Sequence, residues 1–404
     1  MNFEYKDYEL SNAITDIAAG PFGSNLKVSC FTTTGFPIID GANLKEITVT
    51  DNITKFVPED KARSLHRSIA KRRDVVVTIS GNVGQVSYIP DNSQYAEYLC
   101  SQRQFRVTFD ESKIYVPYLV YYLHSVEGQS KILAFANQTG VPALSQPLKN
   151  FRKIKIDLPS LAEQKKIAAI LSALDEKIAI NREINDNLQQ QARTLYKSWF
   201  VDFEPFDKRM PDLWKIGKLK DVLCLRKEVL KAGKRTDLCY LPIDAIPMNT
   251  FALTATRPNE EAQSSLLAFY CDDIIIGAMR VYFHRVIIAP FDGITRSTCF
   301  VLTPKDPNYL AFGLLCCDQD KSIDFAQQSS KGSTMPYAVW DGGLGELEIA
   351  IPPQDIAFEF NRMIMPMIRE IQKSYYETEI LNNIRDTLLP KLMSGEIDVS
   401  AVKL

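Results

Sequence analysis

Two segments of this chain place residues at alternating three- and four-residue intervals, the second following the first by 193 positions, from Leu171 to Ile364. In the first, Leu171, Leu174, Ile178, Asn181, Asn185, Leu188, Ala192, Leu195 and Trp199 recur in this way. In the second, Ile364, Met367, Ile371, Ser374, Thr378, Leu381, Arg385, Leu388 and Leu392 do the same. Such spacing, sustained for about four heptads, describes a narrow seam that one helix presents to another. Both seams turn polar at the same places, Asn181 and Asn185 in one, Ser374 and Thr378 in the other. Buried polar seam residues fix register and partner at some cost in stability, so the two helices are expected to face each other. The first would run from 162 to 200, roughly 58 Å at about 1.5 Å per residue.

The repetition extends beyond the helices. RRDVVVTISGNVG (72–84) has a counterpart in CDDIIIGAMR (271–280): a turn, a β-branched run, then glycine, which reads as a buried strand closed by a tight bend. RKIKIDLP (152–159) and GELEIAIP (345–352) alternate apolar and polar residues, as half-buried strands do. YLVYYL (118–123) is echoed by YLAFGL (309–314), and FANQTGVPAL (135–144) more loosely by FAQQSSKGSTMPY (325–337). Each half therefore reads as a mixed α/β domain followed by a long helix. Ser160 with Glu163 three residues on has capping-box spacing at the first helix start. The second start, at Gln354 and Asp355, has no such box, and Pro366 is expected to kink that helix or delay its beginning. VDFEPFDKRMPDLWKIG (201–217), with two prolines and mixed charge, reads as a linker between the halves.

Bulk properties exclude several classes. A chain of 404 residues with 46% apolar and 24% charged residues is an ordinary globular composition, long enough for two or three cores. MNFEYKDYEL has acids and no apolar core, unlike a signal peptide, and the longest apolar runs are too short to span a bilayer. Eight cysteines without CxxC pairing suit a reduced, cytoplasmic setting, with no metal site. A net charge of −2 argues against a wholly basic nucleic-acid binder but allows local basic faces. No phosphate-binding GxxxxGK[ST], no Ser/His/Asp or Cys/His arrangement and no acid–acid–Lys nuclease cluster stands out. IPPQD lacks the Asn or Asp before the prolines and the aromatic after them that a DNA methyltransferase loop needs. The chain is expected to be non-catalytic.

LPSLAEQKKIAAILSALDEKIAINREINDNLQQQARTLYKSWFVDFEPF resembles the conserved central region of the specificity (S) subunits of Type I restriction-modification systems. IPPQDIAFEFNRMIMPMIREI, with the LLPKLMSGEI ending, resembles their distal conserved region, and GPFGSNL (20–26) a common opening. The second copy departs from the pattern in reading Gln-Asp-Ile-Ala where the first has Leu-Ala-Glu-Gln. The resemblance implies an α+β fold: two mixed α/β target recognition domains separated by two long antiparallel coiled-coil helices with a pseudo-two-fold repeat. The heptad pattern alone does not choose antiparallel over parallel. The corresponding partition is 1–157 for the first recognition domain, 158–200 for the central spacer helix, 201–217 for the linker, 218–350 for the second recognition domain, and 351–404 for the distal spacer helix and tail. It also implies a bipartite, asymmetric double-stranded DNA target, two methyltransferase (M) subunits docked on the helices, and restriction (R) subunits. S-adenosylmethionine, ATP and Mg²⁺ are expected on those partners and none on this chain.

The densest basic stretch is KARSLHRSIAKRR (61–73), with Lys61, Arg63, Arg67, Lys71, Arg72 and Arg73 and no acid. Lysine and arginine neutralise phosphates and read guanine edges, and Arg67 and Lys71 would share a face if the stretch is helical. A solvated helix face explains the same residues equally well. Asn82 and Gln85 in SGNVGQ could reach phosphate or base, although a tight turn accounts for that motif. In the second half Arg257, Arg280, Arg285, Arg296 and Lys331 are the dispersed equivalents. The competing function is a coiled-coil scaffold that joins protein partners without touching DNA.

Overall fold

The computed structural model describes residues 6–137, 140–253, 255–263, 265–332, 334–400 and 402. Residues 1–5, and 138, 139 and 333 of the FANQTGVPAL pair, fall outside that description. The chain packs as two compact units, Met1–Asp175 with Asn383–Leu404, and Glu176–Asn382. The boundaries cut through both long helices, Leu161–Phe200 and Gln354–Met393, each 40 residues. Among the described residues no helix is long and apolar enough to cross a membrane.

In the first unit, an antiparallel sheet runs in the order Ile14–Ala19, Gln104–Phe109, Val75–Thr78, Val86–Tyr88. A second sheet runs Phe56–Val57, Phe36–Ile39, Glu97–Cys100, Ile69–Lys71, with Phe36–Ile39 parallel to Glu97–Cys100. Lys6–Glu9 pairs with Lys155–Leu158, and helices Val116–His124 and Val126–Leu133 cover the first sheet. Val75, Val76 and Val77 are wholly buried, so a run without alternation marks a strand covered on both faces.

The second unit repeats this plan. Its larger sheet runs Leu223–Leu225, Cys299–Pro304, Ile274–Gly277, Val286–Ile288, again antiparallel throughout. Its smaller sheet keeps the same three strands, Cys239–Leu241 parallel to Gly293–Arg296, which is antiparallel to Leu266–Phe269. The edge differs. In the first unit the fourth strand, Phe56–Val57, joins Phe36–Ile39, whereas in the second, Val229–Leu230 joins Leu266–Phe269 at the opposite edge. At the vacated edge, among the described residues, only Arg257 bridges to Tyr240. The repeat reaches the backbone: Arg73 and Asp272 hold φ of 72° and 73° in the turn before the buried strand. Each donates its amide across the hairpin, to the Ile89 and Ala289 carbonyls respectively.

Ser160 and Glu163 form the reciprocal cap, with Ser160 N donating to Glu163 Oε2 at 2.9 Å and Glu163 N to Ser160 Oγ at 3.3 Å. Pro366 does not delay the second helix, which begins at Gln354 and continues through Pro390. Pro366 and Arg362, whose carbonyl loses its donor, both lie on the exposed face, where water can serve that carbonyl. Within 201–217, Lys215–Lys218 is a strand that pairs with Glu348–Ile351, so the end of that segment belongs to the second unit's sheet structure.

None of the eighteen seam positions is exposed. In the second unit Asn181 donates from Nδ2 to Glu377 Oε2 at 2.9 Å and to Thr378 Oγ1 at 3.4 Å, and Ser374 Oγ donates to Asn185 Oδ1 at 2.7 Å. Partners descend as positions ascend, so the helices are antiparallel. Leu188, Leu195, Ile364, Met367 and Ile371 pack in that unit's core. In the first unit, Arg385 pairs with Asp175 at 2.9 Å, and Leu171 shares a core with Leu388, Leu392 and Met393. Leu174 and Leu381 are half-buried, and Ile178 is buried.

Candidate nucleic-acid interface

In the first unit the turns that close the two sheets surround two adjoining hollows of about 730 and 440 Å³, which share Ser80, Gln102 and Arg103. The loop after strand Ile14–Ala19 forms one wall. Gly20 allows it to lie against the opposite turn: its amide donates to Gln104 O at 2.7 Å, and a Cβ there would sit 1.8 Å from Ser101 O. The loop holds Phe22 out at 82% exposure beside Arg67 and Arg103. The second hollow is floored by Thr78, Gln85 and Gln104, with Asp40 and Lys55 in its wall.

Asp40 follows strand Phe36–Ile39 and caps a single 3-10 turn, accepting from Ala42 N through Oδ1 at 2.8 Å. Its Oδ2 takes Lys55 Nζ at 2.5 Å. Burial opposes ionisation of Asp40, but the Lys55 hydrogen bond, the Ala42 amide and the lysine charge outweigh it, leaving the carboxyl below its ordinary value.

The basic stretch 61–73 is not one helix. Helix Glu59–Ser64 ends at Leu65, a 3-10 turn covers His66–Ser68, and Ile69–Lys71 is a strand, so Arg67 and Lys71 share no helical face. Acids from outside the stretch pair with three of its six cations. Arg63 pairs with Glu59 at 2.8 Å and Glu97 at 2.5 Å, and Lys71 reaches Glu97 at 3.6 Å. Arg73 pairs with Asp91 at 2.8 Å and Arg72 donates to Ser93 O at 3.1 Å. Lys61, half-buried, and Arg67, exposed in the wall of the larger hollow, have no ion pair within 4 Å among the described residues. Gln85 serves the turn, its Nε2 donating to Gly41 O at 3.1 Å and its Oε1 accepting from Thr78, while Asn82 is exposed at the rim of the smaller hollow.

In the second unit a hollow of about 280 Å³ lies at the same place in the fold, lined by Tyr240, Asp244, Arg257, Glu261, Arg296 and Thr298 among others. Arg257 pairs with Asp244 at 3.2 Å. Arg285 is committed to structure, donating to the carbonyls of Ile243 and Ile246. Arg280 and Lys331 are exposed, their backbones bonded to Pro336 O and to Tyr337. Arg296 is exposed at the end of strand Gly293–Arg296.

A charge-density reading of the sequence passes over Lys55, Gln102, Arg103 and Asp40. Arg103 sits alone in a three-residue turn between two strands, and only the turn residues of SQRQF mark it. What brings it to Arg67 is the antiparallel pairing of strands far apart in sequence.

Residues 30–190 match the family described as Type I restriction modification DNA specificity domain. The chain is 26% identical over 327 residues to the Type I restriction enzyme MjaIX specificity subunit of Methanocaldococcus jannaschii, covering 74% of this chain and 73% of that protein. It is 21% identical over 329 residues to the HindI specificity subunit of Haemophilus influenzae, covering 60% and 69%. The crystal structure of a Type I S subunit from M. genitalium superposes with a TM-score of 0.59 at 16% identity, over 97% of this chain and 96% of that one, which extends the likeness to the fold. Residues 30–190 therefore carry a Type I restriction modification DNA specificity domain, and in relatives and fold the chain is similar to the specificity subunits of Type I restriction-modification systems.

Proposed function

We propose that the chain reads a bipartite, asymmetric DNA target, one half-site with each unit, and holds methyltransferase and restriction subunits on its long helices. One observation carries this reading. The same sheets are built twice, yet the hollows at equivalent places carry different side chains: Asp40, Lys55, Gln85 and Gln104 in one, Asp244, Arg257, Glu261 and Arg296 in the other. Two like scaffolds suit two half-sites on one duplex, and unlike linings suit unlike half-sites. The boundaries of the recognition domains are then 1–157 and 218–350, with 201–217 between and the helices as spacers. Lys61, Arg67, Arg103, Arg280 and Lys331 would meet phosphates, which position a protein without specifying sequence.

Lys165, Glu176, Lys177, Arg182 and Glu183 are exposed on the first helix, mixed charges suited to a docked subunit. S-adenosylmethionine, ATP and Mg²⁺ would be held by the M and R subunits, in the cytoplasm. Exchanging residues 1–157 for those of another specificity subunit, in complex with the M subunits, tests the reading. Mapping methylated adenines should show one half of the target replaced and the other kept; replacement of both halves would overturn it.

A further inference from the structure

Lys55 and Arg257 occupy the same position in their units: Ile38 N donates to the Lys55 carbonyl at 3.0 Å, and Tyr240 N to the Arg257 carbonyl at 3.3 Å. Ile38 and Tyr240 are themselves equivalent, each facing a parallel strand at Leu99 and Ile294. In both units the cation reaches across to a carboxylate in the loop that follows that strand. In the first unit this is Asp40 at 2.5 Å; in the second it is Asp244, two places further along its loop, at 3.2 Å. The edge strands differ between the units and so do the surrounding sequences, but a cation–carboxylate pair at the wall of the hollow is kept.

An exposed pair of this kind adds little to stability. A phosphate-binding site gains nothing from a carboxylate, because the two anions repel. A base-pair edge in the major groove is different, since it offers donors and acceptors side by side. A carboxylate accepts from the cytosine N4 amino group, and a lysine or arginine donates to guanine O6 and N7. One cation and one acid held within a few ångströms match both halves of a single guanine–cytosine pair. Asp40 is set for this: its Oδ1 is fixed by the Ala42 amide, and its Oδ2 is paired with a lysine whose side chain is 46% exposed.

We propose that Asp40–Lys55 and Asp244–Arg257 are specificity-determining pairs, each reading one guanine–cytosine base pair in the half-site of its own unit. The assignment rests on the DNA-reading function proposed above.

The test uses the full chain in complex with its M subunits, methylating duplexes that carry the mapped target or the target with one G·C pair changed to A·T. The wild-type complex should require a G·C pair in each half, with replacement lowering methylation by about tenfold or more. Asp40→Asn and Lys55→Met should bring that ratio close to one in the first half and leave the second half's discrimination intact. Asp244→Asn and Arg257→Met should do the converse. The untouched half reports that the protein is folded, and if either variant of a pair loses all activity its partner decides. Absence of a required G·C pair in either half, or undiminished discrimination in the variants, would overturn the assignment while leaving a bipartite target standing. Methylation indifferent to sequence in both halves would instead defeat the DNA-reading function.

Discussion

Asp74 and Asp273 fold their carboxylates back onto the amide three residues earlier, Lys71 N at 2.9 Å and Tyr270 N at 2.8 Å, one in each unit. Both are buried, and both close the turn before the central strand. Their arginines come from different places. Arg226, from the loop after strand Leu223–Leu225, grips Asp273 at 2.8 and 3.0 Å, whereas Arg106, on the neighbouring strand, lies 3.9 Å from Asp74 and spends its closer bond on Asp16 at 2.6 Å. Burial accordingly raises the Asp74 carboxyl above its ordinary value despite Thr108, Lys71 N and Arg106.

The two turns should therefore respond unequally to neutralisation. Asp273→Asn removes one member of a tight, largely buried pair and should destabilise the second unit by about 3 kcal/mol. Asp74→Asn keeps hydrogen bonds to a group whose charge is costly there, and should cost the first unit about 1 kcal/mol. Calorimetry that separates the two unfolding transitions checks the order.

The units should also respond to pH with opposite sign. His284 Nε2 lies 3.2 Å from Asp318 Oδ1 and Nδ1 lies 3.5 Å from Asp320. The Asp318 hydrogen bond outweighs burial and raises its pKa, with Arg193 on the far side of the same carboxylate. A raised folded value contributes stability that is complete below the unfolded value of about 6.5 and is lost as pH climbs through the folded one. His124 is the reverse: burial lowers it against the Val86 carbonyl, Asp175 and Glu46, with Arg385 assisting. The first unit therefore loses stability as pH falls below about 6.5. Between about pH 5.5 and 8, His284→Gln should narrow the second unit's pH dependence and His124→Gln the first unit's, read as shifts in each melting midpoint.

Register depends on the polar middle of the seam. Ser374→Ala leaves Asn185 Oδ1 without its donor and should cost about 1 kcal/mol in the second unit. A heptad inserted after Asn185 and another before Ser374 preserves the pattern and adds roughly 10 Å of helix, about three base pairs at 3.4 Å each. Methylation mapping should find both half-sites unchanged and the gap between them longer by that amount; an unchanged gap would remove the helices from that role.

Arg67 and Arg103 lack ion pairs among the described residues and flank the larger hollow. As phosphate contacts, their alanine variants should weaken binding to target and non-target duplexes alike, each reducing the slope of log affinity against log salt by about 1. A loss confined to one base position would make them base readers instead.

Much of this architecture was legible because it rests on period. Leu171 to Trp199 and Ile364 to Leu392 declare a seam, and VVVT and IIIG declare buried strands, since periodicity and burial are local in sequence. The capping box at Ser160 was legible for the same reason. The partners of the basic stretch at 61–73 were not legible, because charge density says nothing of them: Glu97 and Asp91, distant in sequence, fold onto Arg63, Lys71 and Arg73. Lys55 and Arg103 were missed because a single cation in a turn acquires meaning only when strand pairing gives it neighbours. Pro366 does not delay the second helix because its cost depends on which face it occupies, and it faces water.

The first unit is assembled from both ends of the sequence, and this governs when each unit can be finished. Leu392, Met393 and Val399 are 1%, 7% and 0% exposed in a core they share with Leu10, Val75 and Leu171. A ribosome that has passed residue 382 has supplied everything the second unit contains, while the unit it began with still lacks part of its interior. Order of synthesis and order of completion are reversed: the later-encoded unit can close first, and the earlier one must wait with an open flank. A frameshift beyond codon 382 would accordingly injure the amino-terminal unit and spare the one nearer the lesion.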